Sequence, residues 1–248
     1  MLDSYGVDNK AVSSGHKKQT GARNSPSVYN SALHFLQFWD GRAKDVEEQA
    51  LGPILNPVEM AMDSENNVVE ALRVDKDYKL MFSLAFPDEK KPLNFRNIGK
   101  AIGAFERTLL TPSRFDKFLD GDNSALNIKE KKGFELFVKK GCTVCHSGVG
   151  LGGHMFQKLG LVKSYQTDDI GRAEVTGNDS DKFFFKVPSL RNVEKTAPYF
   201  HDGKVETLSE AVRLMGYHQL GVKLINDEIE SIVLFLNSLT GDISTFTE

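Results

Sequence analysis

Residues 137–153 read "FVKKGCTVCHSGVGLGG" and hold both cysteines of the 248-residue chain, Cys142 and Cys145, with His146 immediately after them. Two thiols at this spacing sit one helical turn apart, so both can add to the vinyl groups at one edge of a flat macrocycle while the adjoining imidazole reaches its metal. C-x-x-C-H is the signature of covalent haem attachment. The competing readings are half a zinc site, a thioredoxin-like redox pair and a structural disulfide. A zinc site wants a second Cys or His pair, and a redox pair wants a βαβ context. Neither is apparent, so the motif predicts haem c bound through Cys142 and Cys145, with His146 as the proximal iron ligand.

The flanks agree. "NIKEKKGFELFVKKGC" (127–142) predicts a helix running into the motif, with Phe134, Phe137 and Val138 on its apolar side. "NDEIESIVLFLNSLTG" (226–241) starts on Asn226 and two acids, carries Ile229, Ile232, Val233, Leu236 and Leu239 as a stripe, and stops at Gly241. The two helices are expected to cross and cover a haem edge, with Gly133 admitting an aromatic such as Phe235. A sixth iron ligand must come from the same half. Met215 in "EAVRLMGYHQLG" is the natural candidate, because a thioether opposite histidine raises the haem potential. Met155, His154, His201 and His218 compete with it.

Further helices are expected over 26–41, from a helix-start proline to Gly41, and at "SENNVVEALRV", "DKDYKLMFSLAF", "NFRNIGKAIGAFERTLL" and "TLSEAVRLMG". In the fourth of these, Ile98, Ile102, Phe105 and Leu109 make the apolar face. "GPILNPVEM" (52–60) should be irregular, the segment to Ser25 a loop, and 151–200 a long wrapped loop. No strand alternation is long enough for a sheet. The fold class is therefore mostly α. A net charge of -3 and a pI near 6.1 provide no basic field for nucleic acid. No apolar run approaches the roughly 18–20 residues of a membrane span, and the start lacks a secretory pattern.

Several stretches together carry a resemblance. "RNSPSVYN", "QFWDGRAKDVEEQALGPILNPVEM", "AIGAFERTLLTPSRFDKFLDGD", "GCTVCHSGVGLGG", "FKVPSLRNVEKTAPYFHDGKVETLSEAVRLMGYHQLG" and "IVLFLNSLTG" resemble the bacterial dihaem cytochrome c peroxidases, in the family's motif order. The resemblance implies two cytochrome c-like domains, here 1–112 and 113–248, the first incomplete. It implies hydrogen peroxide as substrate, a small donor protein (cytochrome c or cupredoxin), a periplasmic setting and a homodimer. Cys142 and Cys145 would hold the high-potential haem, with His146 and Met215 as its axial ligands. His16 in "SSGH" would cap the low-potential iron in the resting enzyme. Glu59 would be the acid–base carboxylate of peroxide cleavage, Gln49 its hydrogen-bonding companion, and Trp39 the residue between the haems. Asn24, Thr196 and Pro198 would hold an interdomain calcium. Met at 215, where the quinone-forming relative has tyrosine, favours the peroxidase and leaves Tyr217 a neighbour.

The family needs two C-x-x-C-H motifs, and these 248 residues have one. The missing motif would fall just before Met1, which suggests a chain lacking its export signal and first haem site, with one haem here and two in the whole protein. The alternative is a natural monohaem electron carrier.

Overall fold

The computed structural model describes residues 2–244, and most helices in it begin where a side chain accepts an otherwise orphaned backbone N–H. Asp45 caps α1 (Val46–Leu55), Ser64 caps α2 (Glu65–Arg73), Asp75 caps α3 (Lys76–Ala85) and Asn94 caps α4 (Phe95–Glu106). The short α5 (Arg114–Leu119) starts on Ser113, whose N–H and hydroxyl both donate to Asp116. Asn127 and Glu130 cap α6 (Ile128–Lys139) reciprocally. After the single turn α7 (Ala173–Thr176), Thr207 caps α8 (Leu208–Leu220), and α9 (Asn226–Asn237) closes the helical set. Strands β1 (Phe156–Lys158) and β2 (Phe184–Lys186) pair antiparallel, with Gln157 opposite Phe185.

Two apolar cores form. One gathers Ile54, Val68, Val69, Phe82, Leu93, Phe95 and Ile98 from α1 to α4. The other lies under α5, α6, α8 and α9 and centres on Phe235, which is wholly buried. Gly133 lets α6 and α9 cross as expected: a Cβ there would lie 1.9 Å from Ser231 O and 2.9 Å from Phe235 Cβ. A buried polar knot joins the two halves. Asn30 and Asn192 both donate to Thr111 Oγ1, at 2.8 and 2.9 Å, and Gly241 N–H donates to Asn192 Oδ1 at 2.9 Å.

The chain is mostly helical, as expected, and 151–200 is the long wrapped segment the sequence predicts. Five expectations fail. Residues 26–41 form only a 3₁₀ turn at Ser31–Leu33, because distant partners take their backbone: Asn30 N–H donates to Leu109 O and Phe35 N–H to Gly153 O. A small sheet exists where none was expected. Helix α1 runs through Gly52 and Pro53 to Leu55 instead of giving way to an irregular segment at Gly52; Pro53 falls in its last turn, and the helix stops two residues later. Phe105 and Val138 are half exposed, and α4 stops at Glu106, so Leu109 is buried from the turn beyond it. Helix α8 continues past Gly216 to Leu220 and ends on Gly221 in the left-handed region.

Candidate functional site

Helix α6 delivers the chain to a 3₁₀ turn at Cys142–Val144, which presents Cys142, Cys145 and His146 to a cavity of about 260 Å³. Apolar walls come from Phe137 of α6, Leu208, Ala211 and Val212 of α8, and Ile232 and Leu236 of α9. Neither cysteine is in a disulfide. Burial pushes the Cys142 thiol up to about 11, so it stays protonated. Burial also holds His146 down to about 4, so its imidazole is neutral. Its Nδ1 lies 3.3 Å from Leu151 O, which fixes the ring and leaves Nε2 as the free lone pair.

Met215 of α8 lines the same cavity. Of its four competitors only His201 does so, and that ring is engaged: Nε2 lies 3.0 Å from Thr167 Oγ1, and the ring stacks on Phe185 at 4.3 Å. His154 and His218 face elsewhere, His218 with its Nδ1 2.8 Å from Lys163 O. Met155 gives its carbonyl to Val187 N–H and does not line the cavity. Tyr217 is likewise off the cavity, beneath Lys163 Nζ at 4.3 Å. Two free thiols, a neutral imidazole with one nitrogen unused, a thioether and apolar walls are the donor set a covalently held haem requires. The residues fit that group.

Trp39 lines the cavity too, its indole N–H donating to Asn24 O at 2.9 Å and its ring edge-on to His201 at 6.4 Å. Arg23, which sequence reasoning passed over, underpins this corner by pairing with Asp40, Asp169 and Glu174. Asn24, Thr196 and Pro198 are all among the residues that line the cavity. The amide of Asn24 donates to Lys10 O and Ala11 O, so its Oδ1 points away from those carbonyls. Among the described residues no cluster of three acidic, His or Cys side chains lies ready for a metal. Any calcium here would rest on amide and carbonyl oxygens, which suit that ion. Lys186 and His34 also border the cavity. Nothing in the sequence pattern singles them out.

A second cavity, about 310 Å³, is lined by Phe38, Arg42, Glu48, Gly52, Pro53, Asn56 and Glu59. Glu59 Oε1 accepts from Asn56 Nδ2 at 2.7 Å, and Glu59 O accepts from His16 N–H at 2.7 Å. The fold therefore brings His16 and Glu59 together although 43 positions separate them in the sequence. Gln49 is on α1, and its neighbour Glu48 borders this cavity in its place. Arg42 lies 3.5 Å over the Phe38 ring and bonds Asp40, closing one wall.

The chain as a whole is similar to known proteins. The family model described as "Di-haem cytochrome c peroxidase" matches residues 1–124. The cytochrome c551 peroxidase of Nitrosomonas europaea is 48% identical over 250 residues, covering 99% of this chain and 73% of that protein. The cytochrome c551 peroxidase of Pseudomonas aeruginosa is 47% identical over 242 residues, covering 95% and 70%. Among solved structures, a MauG-like protein associated with microbial copper homeostasis superposes with a TM-score of 0.86 at 29% identity, covering 99% of this chain and 83% of that one. The chain belongs to the di-haem cytochrome c peroxidase family.

Proposed function

We propose that this protein works as a cytochrome c peroxidase, reducing hydrogen peroxide with electrons from a small donor protein: H₂O₂ + 2 e⁻ + 2 H⁺ → 2 H₂O. One observation carries the reading: Cys142, Cys145, His146 and Met215 line a single apolar cavity. Haem c, when bound, supplies the one-electron chemistry that links a cytochrome or cupredoxin donor to a two-electron oxidant. Cys142 and Cys145 would tether it, His146 Nε2 and the Met215 sulfur would be the donors to its iron, and the walls from α6, α8 and α9 would exclude water. This half, 113–248, is the electron-entry domain, and residues 1–112 belong to the peroxidatic one. Trp39 stands where the two meet.

On the peroxidatic side Glu59 moves the proton. With Oε1 held by Asn56, Oε2 takes a proton from one peroxide oxygen and returns it to the other as the O–O bond breaks. Gln49 helps to order that carboxylate, and His16 stands in the loop over it until reduction releases the loop. Asn24, Thr196 and Pro198 bind calcium through oxygen atoms at the junction. A periplasmic location and a dimeric assembly complete the proposal.

The second reading, a monohaem electron carrier, is favoured by the single C-x-x-C-H in these 248 residues. Pyridine haemochrome analysis of protein matured in a haem-attaching host is expected to give one haem per chain, and two would contradict the assignment. In a polypeptide that carries a second motif as well, peroxide should oxidise reduced donor. Glu59→Ala is expected to slow that reaction by about 10²–10⁴-fold with the Soret spectrum unchanged. Full rate in the variant removes Glu59 from the mechanism.

A further inference from the structure

Lys186 lies in β2 and is only 5% exposed, yet its ammonium meets no carboxylate among the described residues. Its Nζ has one side-chain neighbour, His34 Nδ1, at 2.9 Å. An ammonium only donates, so His34 Nδ1 accepts and the ring proton sits on Nε2. That Nε2 is itself buried and has no hydrogen-bond partner. Burial draws Lys186 down to about 8 and His34 down to about 3, which leaves a charged ammonium beside a neutral imidazole near pH 7. Two ammonium protons and one imidazole N–H are thus left without an acceptor among the described residues. A buried cation and a buried donor left this way are strongly unfavourable unless an anion meets them.

The cavity wall supplies the place. Lys186 and His34 line the same cavity as Cys142, His146 and Met215. The glycines that close "GVGLGG" hold His34 there. Gly153 has φ +76°, and a Cβ on it would lie 2.3 Å from His34 Cδ2, so the imidazole packs directly against the end of the haem-motif loop. Lys186 is held from the other side, its backbone N–H donating to Trp39 O at 2.7 Å. Three separate segments, 34–39, 153 and 186, thus meet around Lys186 and His34 at the cavity wall.

We propose that Lys186, held by His34 Nδ1, forms the receptor for a carboxylate of the group that fills this cavity, a haem propionate, with the Lys186 ammonium as counter-charge. This rests on the haem reading above. A positive charge at that carboxylate disfavours the extra charge of ferric iron, so Lys186 raises the reduction potential and acts as a positioning residue.

The test is redox titration of the haem-loaded protein carrying Lys186→Met, beside Lys158→Met, which removes an exposed charge from the neighbouring strand. Lys186→Met is expected to keep its Soret band and one haem per chain while its reduction equilibrium falls about tenfold, or 59 mV for one electron. Lys158→Met should stay at the wild-type value, and added acetate should move neither. An unchanged potential in folded, haem-loaded Lys186→Met overturns the proposal. So does a wild-type potential that shifts with acetate, since the pair would then be serving free carboxylates. Should the variant fail to fold, a structure of the haem-loaded wild type decides: a carboxylate oxygen within about 3.2 Å of Lys186 Nζ supports the assignment, and propionates lying elsewhere sink it. A wild-type protein without a Soret band would instead sink the haem reading itself.

Discussion

Met215 and His146 face one cavity from different elements, α8 and the turn after α6, and that pairing sets the character of the site. Thioether and imidazole together favour the ferrous state more than two imidazoles do, because the softer sulfur stabilises the less charged iron. Met215→His is therefore expected to lower the midpoint potential clearly while the Soret band and the thioether links persist. Redox titration with a haemochrome count checks both halves of that statement, and an unchanged midpoint would take Met215 out of the ligand set. Neighbouring polar residues at the cavity have other tasks. His201 is spoken for by Thr167 and Phe185, and Trp39 by Asn24.

Helix α5 shows how an element is tied to the site. Asp116 takes the N–H and hydroxyl of Ser113 at the helix start, and its two oxygens also receive Nη1 and Nη2 of Arg191 at 2.9 and 2.7 Å. Arg191 in turn donates from Nε to Val149 O, within the loop that follows the C-x-x-C-H. Burial alone would raise the Asp116 carboxyl, but Arg191 and Ser113 outweigh it and hold the group down to about 2. A carboxyl depressed when folded stabilises the protein above the ordinary carboxylate range, and that contribution is lost as pH falls from about 4 to about 2. With the side chain partly solvated, its worth is about 1–2 kcal/mol near neutral pH. Asp116→Asn is expected to lower unfolding stability by about that amount at pH 7, and the gap should close as pH approaches 2. Denaturant melts of both proteins across that range are the check. A gap that widens on acidification would refute the sign.

At the scale of the whole molecule, the two cores are coupled by polar groups more than by apolar ones. Thr111 follows α4, Asn30 lies in the irregular opening third, and Asn192 lies near the end of the long wrapped segment. All three are about 1% exposed. Thr111 Oγ1 accepts from both amides, so one hydroxyl satisfies two buried donors separated by 162 positions. Thr111→Val would keep the shape and strand both N–H groups, for a loss of about 2–4 kcal/mol. Such a variant should melt earlier, with the loss felt across both halves; thermal unfolding followed by far-ultraviolet circular dichroism and by haem absorbance would show it. No change in either signal would mean the halves are joined elsewhere. The opening segment adds to this joint, with Tyr5 OH on Gly241 O and the Asn9 amide on Lys195 O and Ala197 O.

The haem motif, the helices α6 and α9 that cross at Gly133, and nearly every helix start were legible in the sequence, because each depends on residues within about four positions of one another: a thiol spacing, an apolar stripe, a capping side chain. The roles proposed for Glu59 and His16 come only from family resemblance, since an isolated acid and a loop histidine have no local signature. Tertiary structure decided the rest. It put Met215 and His201 on the cavity wall and left Met155, His154 and His218 off it, and it unwound 26–41 by handing its backbone to Leu109 and Gly153. It also buried Lys186 against His34, which stand 152 positions apart. Desolvation of a charge, and the partner that must answer it, exist only once distant segments have met, and no local pattern of residues can announce them.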